Sequence, residues 1–332
     1  MPQSIAAKRI LFVYNTASPF VFIDRDLLQQ KWEVCELYQQ TRRINPIDII
    51  QAAHQCNLIF CWFASWHSLV PVLLAKLLRK PSIVVIGGYD TANLPEADYG
   101  SQRGGLRRLI ARTVIHNSSH LITFSYSSQK EAIDNAGVSL KNIDVIYIGL
   151  QDISMGSLTN RNQLVITVGN VWRENFLRKG LLPFVQAASF LPDIKFMLIG
   201  KWYDNSIETL RQSAPPNVEF TGFVSDERLI QLYQRASVYV QASLHEGFGM
   251  SVAESMLAGC IPVVTRKGSL PEVVGDTGIY TDSNNPREIA EAIRQGLAMD
   301  NAKRKKTRER IVTNFSLERR KNQLFSLVSQ FL

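Results

Sequence analysis

A chain of 332 residues with 45% hydrophobic and 20% charged side chains has an ordinary globular composition and a length that suggests two domains. No window reads as a signal peptide. The most apolar stretch, Asn57 to Lys76, is broken by Ser65, His67, Ser68 and Pro71, which excludes a membrane span of about 20 uninterrupted apolar residues. The net charge of +8 suits phosphate-bearing substrates, an anionic membrane surface or nucleic acid, but no nucleic-acid motif accompanies it and nucleic acid is not an expected partner.

In chain order, short β-branched runs alternate with helical patterns. Arg9–Tyr14, Asn57–Phe63, Ser82–Ile86, Leu121–Ser125 and Asp144–Ile148 read as buried strands, with helices over Leu69–Arg79, Leu106–His116 and Gln129–Ala136. Residues 151–162 are polar, rich in Gly, Ser and Asn, and read as a linker. The alternation then restarts, with strands at Leu164–Val168, Lys195–Ile199, Val218–Phe220, Ser237–Gln241, Pro262–Thr265 and Gly278–Tyr280. The pattern predicts an α/β protein of two doubly wound Rossmann-like domains, residues 1–150 and 163–310, facing a central cleft. Basic amphipathic helices close the chain.

Some local patterns have plain structural readings. Cys35, Cys56, Cys61 and Cys260 show neither zinc nor disulfide spacing and read as reduced core thiols of a cytosolic protein. The pair His116 and His120 reads as a helix end running into a strand, and Asp24-Arg25-Asp26, though it resembles a metal-binding D-x-D, reads as a helix N-cap. Ser269 and Glu272, around Pro271, read as a capping box.

The stretch from Ser243 to Thr265 carries more chemistry. Glu246 and Glu254 flank a Gly247-Phe248-Gly249 turn that opens a helix. The N–H groups of Gly249, Met250 and Ser251 at the helix start are suited to a phosphate. Glu254 lies roughly 7 Å along the helix, within reach of a ribose, while Glu246 reaches sugar hydroxyls on the other side of the turn. A dinucleotide site needs a third small residue, and Val252 follows instead. A plain loop-to-helix junction stays an alternative, but it leaves a carboxylate in an apolar helix unexplained. After the strand ending at Gly169, Arg173, Arg178 and Lys179 lie ahead of a helix resuming near Gly180. Cations placed there would stabilise a departing diphosphate. In the first half, His67, Tyr89 and Asp90 are the polar groups nearest strand ends and are the candidates for the acceptor side.

Together, "HEGFGMSVAESMLAGCIPVVT", "RKG", "TGFV", "GSLPEVVGDTG" and "NPREIAEAI" resemble the retaining nucleotide-sugar glycosyltransferases of family four, which have the GT-B fold. The resemblance spans Leu164 to about Ala298. The tail "RERIVTNFSLERRKNQL" resembles the family's last helices, which implies that residues 311–332 cross back to the first domain. It implies that Glu246 contacts the donor sugar, Glu254 the ribose and Lys179 the diphosphate, and that the backbone of Gly247, Phe248 and Gly249 lines sugar and diphosphate. Gly222, Phe223 and Val224 would lie by the nucleobase. Asn170 stands where the family has an arginine, so Arg173 or Arg178 is expected to supply the second cation. The expected activity is retaining, metal-independent transfer of a hexose-type sugar from a nucleoside diphosphate sugar, with no cofactor, to a glycan or lipid-linked acceptor. The alternatives are a nucleotide-sugar epimerase on the same fold and a non-catalytic sugar-nucleotide-binding subunit. The expected location is the cytoplasm, and the basic helix around Arg103, Arg107, Arg108 and Arg112 adds an expectation of peripheral membrane association.

Overall fold

The computed structural model describes residues 8–41, 45–155, 161, 163–282 and 284–332. The chain forms two compact units. The first comprises residues 1–95, 99–149 and 317–332, and the second residues 96–98 and 150–316. Part of the expected linker, residues 156–160 and 162, lies outside the described residues.

In the first unit the order is β1 (Arg9–Tyr14), α1 (Pro19–Gln29), β2 (Glu33–Tyr38), α2 (Pro46–Gln55), β3 (Leu58–Trp62), α3 (Trp66–Leu77), β4 (Ser82–Ile86), α4 (Gly88–Thr91), α5 (Gly105–Asn117), β5 (His120–Thr123), α6 (Tyr126–Ala136) and β6 (Ile143–Val145). The strands pair in parallel in the order β2-β1-β3-β4-β5-β6. β3 and β4 are buried along their whole length, which is why they read as continuous apolar runs. β2 was not among the expected strands. It is an edge strand with Glu33, Glu36 and Tyr38 exposed, so it lacks the apolar run that marks a doubly covered strand. It also carries Cys35, which is half-buried, whereas the other three cysteines are in the core.

The Asp24-Arg25-Asp26 segment is not an N-cap. It lies in the middle of α1, whose N-cap is Ser18. Asp24 is fully buried and forms a two-point ion pair with Arg320, at 2.5 Å from Nε and 2.7 Å from Nη2. Arg320 also donates to the carbonyls of Ile146 and Tyr147. It belongs to the last helix, α15 (Leu317–Phe331), which is part of the first unit. The His116–His120 segment is the end of α5 followed by the start of β5.

The second unit runs β7 (Leu164–Val168), α7 (Arg173–Arg178), α8 (Leu181–Ala187), β8 (Lys195–Ile199), α9 (Ser206–Ser213), β9 (Val218–Gly222), α10 (Asp226–Arg235), β10 (Val238–Gln241), α11 (Met250–Leu257), β11 (Ile261–Thr265), α12 (Leu270–Val274), β12 (Ile279–Thr281), α13 (Pro286–Leu297) and α14 (Asn301–Asn314). Its parallel sheet has the order β12-β11-β10-β7-β8-β9. Phe184, Leu198, Val240 and Ile293 are among the core residues between this sheet and α8 and α13. Among the described residues, no helix is long and apolar enough to cross a membrane.

Candidate functional site

In the second sheet β7 and β10 are neighbours, but the chain leaves β7 toward β8 and β9 and leaves β10 toward β11 and β12. The crevice beyond the carboxyl ends of two such diverging strands is where doubly wound sheets bind ligands. Here it holds the loops 169–180 and 242–249. They approach closely because Gly180 has φ +62° and a Cβ there would lie 2.0 Å from the Ala242 carbonyl oxygen. A third loop comes from β11. Gly268 (φ +54°) lies against the Glu246 backbone, and the amide and hydroxyl of Ser269 both donate to the Glu246 carbonyl at 3.0 Å. The expected Ser269 capping box is therefore not formed, because its hydroxyl is used to hold Glu246.

The Glu246 carboxylate is buried. Its Oε1 accepts from Ser243 (2.9 Å) and Gln241 (3.2 Å) and lies 3.5 Å from both Arg178 Nη1 and Lys179 Nζ. Burial pushes this carboxyl up, but the charges of Lys179 and Arg178 and the Ser243 hydrogen bond outweigh it and hold it at about 2. Lys179 is shifted down, chiefly by burial and only partly offset by Glu246. Buried Arg178 and half-buried Lys179 thus converge on one carboxylate.

The surrounding hydrogen bonds fix this cluster. Arg178 donates to the His245 carbonyl (3.0 Å) and to Asn175 Oδ1 (2.7 Å). Asn175 donates to the Asn170 carbonyl (3.1 Å), and Asn170 Oδ1 accepts from the Lys201 amide (2.9 Å). Asn170 therefore braces the turn after Gly169. Tyr239 donates to Gln241 Oε1 at 2.8 Å, continuing the network beneath Glu246. Gln241, Ser243 and Tyr239 were missed from the sequence. Their signal is a run of polar side chains at the carboxyl end of an otherwise apolar strand.

Arg178 and Lys179 close α7 instead of opening a helix, so they sit favourably at its C-terminus. Arg173 is not brought into the cluster. It is exposed at the start of α7, roughly 7.5 Å along the helix from Arg178, and its amide is held by Asp204.

Gly249 (φ +93°) opens α11, and the amides of Met250 and Ser251 lie in its first turn, where no intrahelical acceptor exists. Glu254 is half-buried one turn on and accepts from Tyr233 OH at 3.2 Å. Burial pushes its carboxyl up to about 7, against the Tyr233 hydrogen bond. The Phe248 ring is buried and packs edge-on to Phe315 at 5.4 Å, so this residue offers a ligand only its backbone. Gly222 ends β9, and Phe223 and Val224 follow it. Phe223 is exposed, with Lys201 Nζ 4.4 Å above its ring. Exposed Trp202 and Tyr203, just past β8, extend this aromatic surface and were also missed.

The sequence family described as Glycosyl transferases group 1 matches residues 162–299, which span β7 to α13. Over these residues the chain is similar to the group 1 glycosyl transferases. It is 35% identical over 132 residues to the O-antigen chain mannosyltransferase B of Escherichia coli, covering 37% of this chain. The chain spans about a third of the length of that relative (35%) and a smaller share of the serotype-specific mannosyltransferases it also matches (10%). A longer alignment, 25% identical over 309 residues, covers 88% of this chain and 77% of the N,N'-diacetylbacillosaminyl-diphospho-undecaprenol alpha-1,3-N-acetylgalactosaminyltransferase of Campylobacter jejuni. Among solved structures, Anabaena Alr3699/HepE in complex with UDP and glucose superposes with a TM-score of 0.79 over 97% of this chain and 100% of its own, at 19% identity. The fold class is that of the GT-B glycosyl transferases, with two Rossmann-like α/β units.

The group 1 match does not reach the residues expected on the acceptor side. His67 does not face solvent. It is fully buried in the first turn of α3, its Nε2 lies 2.7 Å from the Trp62 carbonyl, and burial lowers its pKa to about 4. Tyr89 is half-buried and accepts from Arg107 at 3.0 Å. Asp90 is buried in α4, and its carboxylate accepts from the Gly87 amide at 2.7 Å.

Proposed function

We propose that this protein transfers a sugar from a nucleoside diphosphate sugar to an acceptor hydroxyl of a glycan or lipid-linked glycan, with retention of configuration and without a metal cofactor. One observation carries the reading: Lys179 and Arg178 converge on Glu246 at the switch point, in the loops after β7 and β10, the second of which leads into the first turn of α11. A diphosphate placed there meets two cations and outward-facing amides, and both grow in value as the leaving group gains charge. Glu246, held ionised, orients the donor sugar by accepting from its hydroxyls. Glu254 accepts from the ribose. Arg178 takes the role of the arginine missing at Asn170. The departing diphosphate helps take the acceptor proton, so no protein base is assigned.

A lipid-linked acceptor is supported by two features. The name of the Campylobacter jejuni relative includes a diphospho-undecaprenol acceptor. In addition, α5 exposes Leu106 and Leu109 beside Arg107 and Arg108, a surface suited to peripheral binding at an anionic membrane on the cytoplasmic side.

The test is turnover of a panel of nucleoside diphosphate sugars, with product configuration read by proton NMR. Transfer or hydrolysis with the anomeric configuration retained is expected. An epimerised sugar nucleotide, or binding with no turnover on any acceptor extract, would reject the transferase assignment.

A further inference from the structure

Side chains along β10 alternate between the two faces of the sheet. Val238 and Val240 join the apolar core of the second unit, which leaves Tyr239 and Gln241 on the opposite face. Both are fully buried, so each of their polar atoms needs a partner.

The partners run in one direction, toward Glu246. The Val168 amide, at the end of β7, donates to the Tyr239 hydroxyl oxygen at 3.4 Å, and the Tyr239 hydroxyl donates to Gln241 Oε1 at 2.8 Å. Gln241 Nε2 donates to Ser243 Oγ at 2.7 Å and to Glu246 Oε1 at 3.2 Å, and Ser243 donates to the same carboxylate oxygen at 2.9 Å. Burial pushes the Tyr239 pKa up, so the phenol keeps its proton to give. A flipped Gln241 would set its oxygen against an ionised carboxylate and aim two donors, its amide N–H and the phenol O–H, at each other.

The result is a carboxylate with two unlike oxygens. Oε1 takes both hydrogen bonds and has Arg178 and Lys179 at 3.5 Å, whereas Oε2 accepts no hydrogen bond among the described residues.

We infer that Tyr239 is a positioning residue: by fixing the Gln241 amide it commits Glu246 Oε1 to the protein and leaves Oε2 to accept from the donor sugar. The use of Oε2 by a sugar rests on the transferase reading above, while the coupling of Tyr239 to Glu246 through Gln241 does not.

Two near-isosteric variants test it. Tyr239→Phe removes one oxygen and keeps the ring, and Gln241→Met keeps the side-chain length and removes both hydrogen-bonding groups. In Tyr239→Phe, kcat is expected to fall about fivefold to tenfold. KM for the nucleotide sugar should stay within about twofold, and the affinity for the nucleoside diphosphate alone should not change. Gln241→Met should lose at least as much, and adding Tyr239→Phe to it should cost nothing further, because Tyr239 acts through Gln241. Full kcat in Tyr239→Phe, losses that multiply in the double variant, or a parallel loss of nucleoside diphosphate affinity overturns the inference. A wild type that turns over no nucleotide sugar rejects the transferase reading instead. The coupling is then read by carbon-13 NMR of the glutamate carboxyls, with the Glu246 resonance assigned by its absence in Glu246→Gln. That resonance should shift in Tyr239→Phe and in Gln241→Met, and no further in the double variant than in Gln241→Met. A resonance unmoved in Tyr239→Phe overturns the coupling.

Discussion

The two units each have a six-stranded parallel sheet with one switch point, two strands lying on the short side of it in the first unit and three on each side in the second, and they fill that point differently. Each sheet has a pair of diverging strands, β1 and β3 in the first unit and β7 and β10 in the second. In the first, the strand ends are packed. Trp62 is fully buried against Phe20, Phe63 and Phe124. Nearby, Asp24 and Arg320 form a closed pair, one carboxylate to one guanidinium, whose remaining donors are taken by backbone carbonyls. In the second, one carboxylate faces two cations. Both carboxylates are buried and both are paired, but Asp24 meets one guanidinium, whereas Glu246 meets Arg178 and Lys179 together. The fold supplies the place, and the balance of charge decides whether it is structure or site.

That contrast breaks first at the closed pair. Asp24→Ala strands a buried guanidinium and is expected to destabilise the protein by about 3–5 kcal/mol in urea denaturation, with nucleotide-sugar affinity at the second unit unchanged wherever the protein stays folded. Lys179→Ala should do the reverse. Turnover falls about 10²–10³-fold, while stability falls less than in Asp24→Ala, because Arg178 still pairs with Glu246.

Acid titration sharpens the comparison. Glu246 is held at about 2 against an ordinary 4.5, so its contribution to stability is complete above 4.5 and is lost as pH falls toward 2. Urea midpoints should drop across that window in the wild type and less in Glu246→Gln. Glu254 runs the other way. Its carboxyl sits at about 7 against 4.5, the folded state holds the extra proton, and stability declines as pH rises between those values. Glu254→Gln should flatten that decline. The smallest effect is expected for Arg173→Ala. Its turnover should stay within about threefold of wild type, since an exposed charge outside the cluster is largely screened.

Much of this was legible in the sequence, for physical reasons. Doubly buried strands such as β3, β4 and β11 announce themselves as apolar runs, and the Gly247–Gly249 turn before an apolar helix marks the start of α11. β2 was not legible, because an edge strand lacks the continuous apolar run of a doubly covered one. Long-range pairing was not legible either. Asp24 meets Arg320 across 296 positions, and no local pattern distinguishes that aspartate from a helix cap. The same limit left open whether Arg173 or Arg178 joins Lys179. The choice depends on α7 forming between the two, which places only the second beside Glu246.

The role of the cations at Glu246 is tested most directly by isothermal titration of nucleoside diphosphate sugars into the wild type, Lys179→Ala and Arg173→Ala. The transferase reading predicts that at least one donor binds the wild type, that Lys179→Ala weakens it by about a hundredfold, roughly 2.7 kcal/mol, and that Arg173→Ala leaves it unchanged. Equal affinity in wild type and Lys179→Ala, or a larger loss in Arg173→Ala, would contradict it.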